Sequence, residues 1–230
     1  MNPTHRPVPY LKRKTKRIDG ILRSHFGTPA RETRPDPLSV LIQTILSQNT
    51  TDVNSGRAFA ALRERFPEWS DLLDARTPAI ARVIRSGGLA EQKSKRIKQI
   101  LAWLSRTHGS LTLDFICRLH TGSAMAQLTS LPGVGPKTAS VVLLFACGMP
   151  VFPVDTHIHR VTTRLGLIPQ GTTAAKAHGL LAAIVPPGSE YPLHINLIRH
   201  GRTICRPRRP ACSQCPLNKR CPKIGVKESR

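Results

Sequence analysis

Residues 131–139 read "LPGVGPKTA": two prolines and two glycines among apolar residues, with a single lysine directly behind them. Apolar residues at three- and four-residue spacing lie on either side, so the stretch reads as a tight turn joining two helices, a helix-hairpin-helix over about 124–148. Glycines in so short a turn let successive backbone N–H groups of Gly133, Val134 and Gly135 point one way. That is an anion nest at a helix N-terminus, able to hold a phosphate without reading a base. An ordinary helix–helix turn built on Pro-Gly chemistry is the alternative reading of these residues taken alone.

Outward from this turn the chain keeps the helical period. Asp36-Pro37 is a helix-start pair followed by Leu38, Leu41, Ile42, Ile45 and Leu46 on one face. Asp52 is placed to cap the next helix, which carries Phe59, Leu62 and Phe66. Thr77-Pro78 starts another, stopped by Gly87-Gly88, and Ile97, Ile100, Leu101 and Leu104 define a helix ending near Gly109. Short helices are expected near 112–119 and 123–130. Beyond the turn come helices over 138–146, 155–165 (headed by Asp155), from Thr173 through Ile184, and over 192–203. No segment reads convincingly as a strand, and aromatic residues are only 4% of the chain. The expected fold class is all-α.

The charge narrows the partner. Lys plus Arg number 35 against 13 Asp plus Glu, a formal +22, which points to a polyanion. The excess gathers at both ends, including "KRKTKR" at 12–17, which reads either as a solvated tail or as part of the binding surface. The start lacks the apolar core of a signal peptide, and no run approaches the ~18 apolar residues of a membrane span. The expectation is a cytoplasmic, nucleoid-associated monomer with no membrane partner. Cysteines in such a reducing compartment are thiols or metal ligands before they are disulfides.

Against this basic background one lysine and one carboxylate, Lys137 and Asp155, stand nearly alone. Lys137 and Lys176 are the sole lysines between residues 99 and 218, and Asp155 is the sole carboxylate between Asp114 and Glu190. Isolated charges in an apolar third of a chain are placed for a purpose more often than crowded ones. For Asp155, capping the helix that it heads is a sufficient structural reason, and a cap can also be catalytic. Cys205, Cys212, Cys215 and Cys221 follow a C-x6-C-x2-C-x5-C pattern among arginines. Four thiolates so close require a cation, and the spacing alone leaves zinc and iron–sulfur open. Cys117 and Cys147 sit in apolar helical settings and are expected to be core thiols.

"LPGVGPKTASVVL", then "FPVDTHIHRVTTRLGL", then the four spaced cysteines together closely resemble the endonuclease III family of helix-hairpin-helix DNA glycosylases, along about 36–221. The resemblance implies two helical lobes with the active site in the cleft between them. One is a helical barrel, 36–149; the other joins 1–35 to 150–230 and carries a C-terminal [4Fe-4S] loop on Cys205, Cys212, Cys215 and Cys221. It implies that Lys137 attacks the sugar C1′ of a damaged nucleotide and forms a Schiff base, with Asp155 assisting base departure. An amine attacks only when unprotonated. A helix N-terminus, apolar neighbours and a basic chain disfavour its charge, whereas bound phosphates favour it.

A base inside a duplex is out of reach, so the nucleotide must be extruded and the gap filled. "SGGLAEQK" resembles the family's wedge loop with Leu89 as the intercalating residue; a buried turn leucine is the alternative. "ILSQNTTD" resembles the gap-filling loop. Ungapped alignment puts Asn49 where glutamine is usual and Gln48 one residue earlier, and which of them enters the helix stays open beside a plain polar patch. Pro136 stands where relatives often carry a basic residue, His159 replaces a common aromatic, and 109–130 is longer than usual. The implied function is a base-excision-repair DNA glycosylase with AP lyase activity that removes oxidised pyrimidines from duplex DNA. The alternatives are a monofunctional mismatch glycosylase of the same superfamily, which the lysine disfavours, and a non-catalytic helix-hairpin-helix DNA-binding protein.

Overall fold

The computed structural model describes residues 6–31 and 33–230, and every regular element among them is helical. In chain order the helices are α1 (Val8–Phe26), α2 (Pro37–Ser47), α3 (Asp52–Arg65), α4 (Trp69–Asp74), α5 (Thr77–Val83), α6 (Ala90–His108), α7 (Thr121–Thr129), α8 (Pro136–Phe145), α9 (Thr156–Arg164), α10 (Ala174–Ala182) and α11 (Glu190–Thr203). Short 3-10 turns occupy Arg85–Gly87, Asp114–Arg118 and Asn218–Arg220. The all-α expectation holds. The chain divides into two compact units, Arg34–Met149 and Met1–Thr33 with Pro150–Arg230. Among the described residues no helix is long and apolar enough to cross a membrane.

In the unit Arg34–Met149, α2 is the central element and packs on α3, α6 and α8. Asp36 starts it, accepting from the backbone N–H of Leu38 and Ser39 at 3.3 and 2.7 Å, with Pro37 in the first turn. Leu38, Leu41, Ile42, Ile45 and Leu46 are fully buried, each contributing on the order of 1.5–3 kcal/mol by leaving water. Helix α6 buries Ile97, Ile100, Leu101 and Leu104 and ends at Gly109, whose φ of 65° is the left-handed conformation a glycine cap supplies.

Two local expectations are corrected here. Thr51 caps α3, its hydroxyl accepting from Asn54 N–H at 3.3 Å, and Asp52 lies one residue inside, in the first turn. Near residues 112–119 the backbone forms the 3-10 turn at Asp114–Arg118. A third correction concerns cysteine. Cys117 and Cys147 are joined in a disulfide, with Cα atoms 4.8 Å apart. They are not free core thiols: the longer 109–130 segment carries Cys117 back to the residues just beyond α8, and the two side chains meet.

In the other unit, α1 and α9 pack against α11. Ile18 and Leu22 join Phe152, Ile158, Val161, Leu181, Leu193 and Leu197 in one apolar core. Helix α1 was not anticipated, because its basic residues dominate the local composition. The residues "KRKTKR" are not a tail: Thr15, Ile18, Asp19 and Leu22 form the buried stripe, while Lys12, Arg13, Lys16 and Arg17 stand exposed on its other side. The buried carboxylate Asp19 is paired with Arg23, Nε to Oδ2 at 2.9 Å, one turn along.

Candidate active site

The turn of the hairpin is built from Leu131 and Val134, both buried, and from Pro132, Gly133, Gly135 and Pro136, all exposed. Gly133 has φ 75°, which only glycine takes readily. The Val134 N–H donates to Leu131 O at 3.1 Å and closes the turn. Val134 therefore shapes the loop and has no amide left for a ligand. Among the described residues no acceptor takes the N–H of Gly133, Gly135 or Lys137. These free donors stand at the start of α8, where the partial positive charge of the helix adds to them. A Cβ placed at Gly135 would meet nothing within 4 Å. The fold does not demand glycine there, and its absent side chain leaves the backbone open to close approach.

Lys137 is exposed in the first turn of α8. Val141 and Phe145 follow it at four-residue spacing on the same face, and both line an open depression together with Gln43, Thr44, Ser47, Asp52, Ser55 and Phe59 of α2 and α3. Its polar residues carry hydrogen-bonding groups along an apolar floor. Sequence reasoning missed this depression, and the signal available was Ser39, Gln43, Thr44 and Ser47 as the polar residues of an otherwise apolar α2.

The two loops expected to enter DNA belong to the same unit. Leu89 is 52% exposed and has φ 51°, a strained conformation for a branched apolar residue. It is not a buried turn leucine. Gln48 is half-buried: its Nε2 donates to Gly133 O at 3.1 Å and Thr138 Oγ1 at 3.4 Å, and its Oε1 accepts from Arg96 at 3.1 Å. Asn49 is exposed, with φ 54°.

Asp155 belongs to the other unit. It caps α9, Oδ1 accepting from Ile158 N–H at 2.7 Å, and it is half-buried. Among the described residues its second oxygen has no hydrogen-bond partner. Next in the helix, the Arg160 guanidinium donates to Cys205 O at 3.0 Å and Gly201 O at 2.8 Å; burial lowers its affinity for a proton, with the Cys205 and Asp155 charges opposing. His159 is engaged as well, its Nε2 2.7 Å from Thr172 O.

Cys205, Cys212, Cys215 and Cys221 line one small pocket, walled by Val161, Arg164, Leu165, His200 and Leu217. Arg164 is buried and orders this loop, donating to Cys205 Sγ at 3.3 Å, Arg206 O at 2.7 Å and Pro207 O at 2.9 Å. Burial, with the other cysteines adding, pushes the Cys215 thiol up to about 11 and raises that of Cys221. A cation among them would reverse that penalty. Among the described residues no three His, Cys, Asp or Glu side chains are gathered tightly enough to hold a metal ion as they stand. Four sulfurs around one cavity nonetheless suit a thiolate-ligated centre.

Residues 42–187 match the HhH-GPD superfamily base excision DNA repair protein family. A DNA glycosylase homologue of Arabidopsis thaliana is 38% identical over 82% of this chain, and the chain spans only 62% of that relative's length. Endonuclease III of Thermotoga maritima is 33% identical, covering 84% of this chain and 86% of its own. A solved endonuclease III, in a trapped covalent intermediate with DNA, superposes with a TM-score of 0.78 at 27% identity over 92% of this chain and 96% of its own. Hairpin, helical architecture and family match agree: the chain belongs to the HhH-GPD superfamily of base excision DNA repair proteins.

Proposed function

We propose that this protein is a base-excision-repair DNA glycosylase with AP lyase activity, acting on oxidised pyrimidines in duplex DNA through a lysine Schiff base. The single observation that carries the reading is Lys137, a lone lysine exposed at the N-terminus of α8 directly behind backbone N–H groups free to hold phosphate. A DNA-binding module needs the nest but not the amine.

In the reaction the target nucleotide leaves the stack, Leu89 enters from one side and Asn49 fills the vacated space. Asn49 is assigned rather than Gln48 because both ends of the Gln48 amide are already engaged on the hairpin and Arg96. Gly133, Gly135 and α8 hold the backbone phosphate. Lys137 Nζ attacks C1′, the damaged base departs with its bonding electrons, and loss of a proton from nitrogen with ring opening gives the iminium. The Asp155 carboxylate stabilises the positive charge that develops on the sugar and then relays protons. Removal of the C2′ proton expels the 3′ phosphate, and water releases the enzyme. Along the wall of the depression Gln43 offers an amide to a pyrimidine ring, while Thr44 and Ser47, whose hydroxyls donate to Val40 O at 2.6 Å and Thr44 O at 2.8 Å, offer acceptor oxygens.

Cys205, Cys212, Cys215 and Cys221 would hold a [4Fe-4S] cluster. The C-x6-C-x2-C-x5-C spacing, which resembles the cluster loop of the endonuclease III family, supports iron–sulfur over a single tetrahedral zinc. When bound, the cluster ties the arginine-rich C-terminal segment into a fixed shape, and the chemistry on DNA is left to the chain's own residues.

The test is incubation with a duplex carrying one oxidised pyrimidine. Free base and a strand cut on the 3′ side of the lesion are expected; base release with an intact strand would select the monofunctional reading, and neither product would end both.

A further inference from the structure

Lys93 is 1% exposed, with no role in the chemistry above. Its ammonium group donates to Leu46 O at 2.7 Å and Gly87 O at 2.8 Å. Leu46 is in the last turn of α2, where carbonyls lack helical partners, and it lies three residues before Asn49. Gly87 ends the 3-10 turn two residues before Leu89. One buried cation thus joins the base of the gap-filling loop to the base of the wedge loop. Burial, and then the charge of Arg96, pushes the Lys93 amine below its ordinary range, so an amine is kept here against a cost that an apolar residue would avoid.

One turn further along α6, Arg96 extends the connection to the hairpin. It donates to Gln48 Oε1 at 3.1 Å, and Gln48 donates to Gly133 O. Its side chain also lies so close over Gly133 that a Cβ there would fall 2.5 Å from Arg96 Cδ. The first turns of α6 therefore touch all three segments that the proposed reaction brings to DNA.

We propose that Lys93 and Arg96 are positioning residues that fix the wedge loop, the gap-filling loop and the hairpin as one rigid platform, so that extruding the nucleotide and closing the gap occur together. The inference rests on the glycosylase reading and goes beyond it. Each loop has a bond to its neighbour, and Leu89 and Asn49 both hold left-handed conformations that free loops would relax. The platform acts on extrusion, a step before the chemistry at C1′.

Lys93→Met and Arg96→Met, each checked for cooperative thermal melting, are compared with the unaltered protein in single-turnover release of an oxidised pyrimidine. One substrate is a fully paired duplex; the other places the same lesion in an unpaired bulge, where extrusion is already achieved. Each variant is expected to slow release from the paired duplex by roughly 10- to 100-fold, and from the bulge by less than about threefold. Equal slowing on both substrates, or no slowing on either, overturns the proposal. If Lys93→Met does not fold, the ratio for Arg96→Met alone decides by the same criterion. If the unaltered protein releases nothing from either substrate, the glycosylase reading itself fails and takes the platform with it.

Discussion

At the scale of single residues, Asp155 holds two roles that one substitution separates. As a cap it needs only a side-chain oxygen toward Ile158 N–H, and asparagine supplies one almost as well. As a catalyst it needs a negative charge. Asp155→Asn should therefore leave the melting temperature within a few degrees while lowering base release by on the order of 10²-fold or more, measured by calorimetry and single-turnover assay on one preparation. A large drop in melting temperature with unchanged turnover would make Asp155 structural only. Such residues were legible in the sequence because their isolation is a property of the sequence: a lone lysine and a lone carboxylate need no coordinates to be noticed. The Gln48–Asn49 ambiguity was not legible, since neighbours in a loop are told apart only by where each side chain finds partners. Asp52 was misread as a cap because Thr51, one residue earlier, offers an equally good oxygen.

At the scale of elements, the hairpin and α2 were readable from period and punctuation, while α1 was hidden. Two apolar residues in a buried stripe shared with a threonine and an aspartate are a weak signal among so many cations, and burial against α11 settles what propensity does not. The Cys117–Cys147 disulfide was equally out of reach, because two cysteines 30 residues apart carry no pairing information until the chain between them is folded. Closing a loop of that length stabilises the native state by roughly 3–4 kcal/mol through the unfolded chain. Reduction, or Cys117→Ser with Cys147→Ser, should lower the melting temperature by roughly 6–16 °C, read by thermal melts with and without reductant. An unchanged melt would mean that the bridge does not form in solution.

For the whole molecule, a +22 chain of 230 residues is an electrostatic object first. Counterion release predicts that log affinity for undamaged duplex falls against log salt with a slope of roughly −4 to −7, measurable by fluorescence anisotropy. A flat line would remove the phosphate contacts on which the hairpin reading depends. The cysteine loop gives a second expectation at this scale: protein isolated without oxygen should absorb near the visible thiolate-to-iron band with about four irons per chain, and Cys212→Ser should lose both that absorbance and DNA affinity. Zinc in place of iron would contradict the cluster. The family's architecture was readable from three ordered motifs, whereas the way Arg164 gathers the carbonyls of the cysteine loop had no sequence signature, since a buried arginine looks like any other until its partners are known.

The most direct measurement is borohydride trapping on a duplex with one oxidised pyrimidine. Sodium borohydride reduces an iminium to a stable amine, so a lysine joined to C1′ becomes a permanent protein–DNA adduct. The unaltered protein should form that adduct, and Lys137→Ala should form none while retaining most of its affinity for DNA. An adduct of undiminished yield from Lys137→Ala would show that another amine does the chemistry and would contradict the account at its centre.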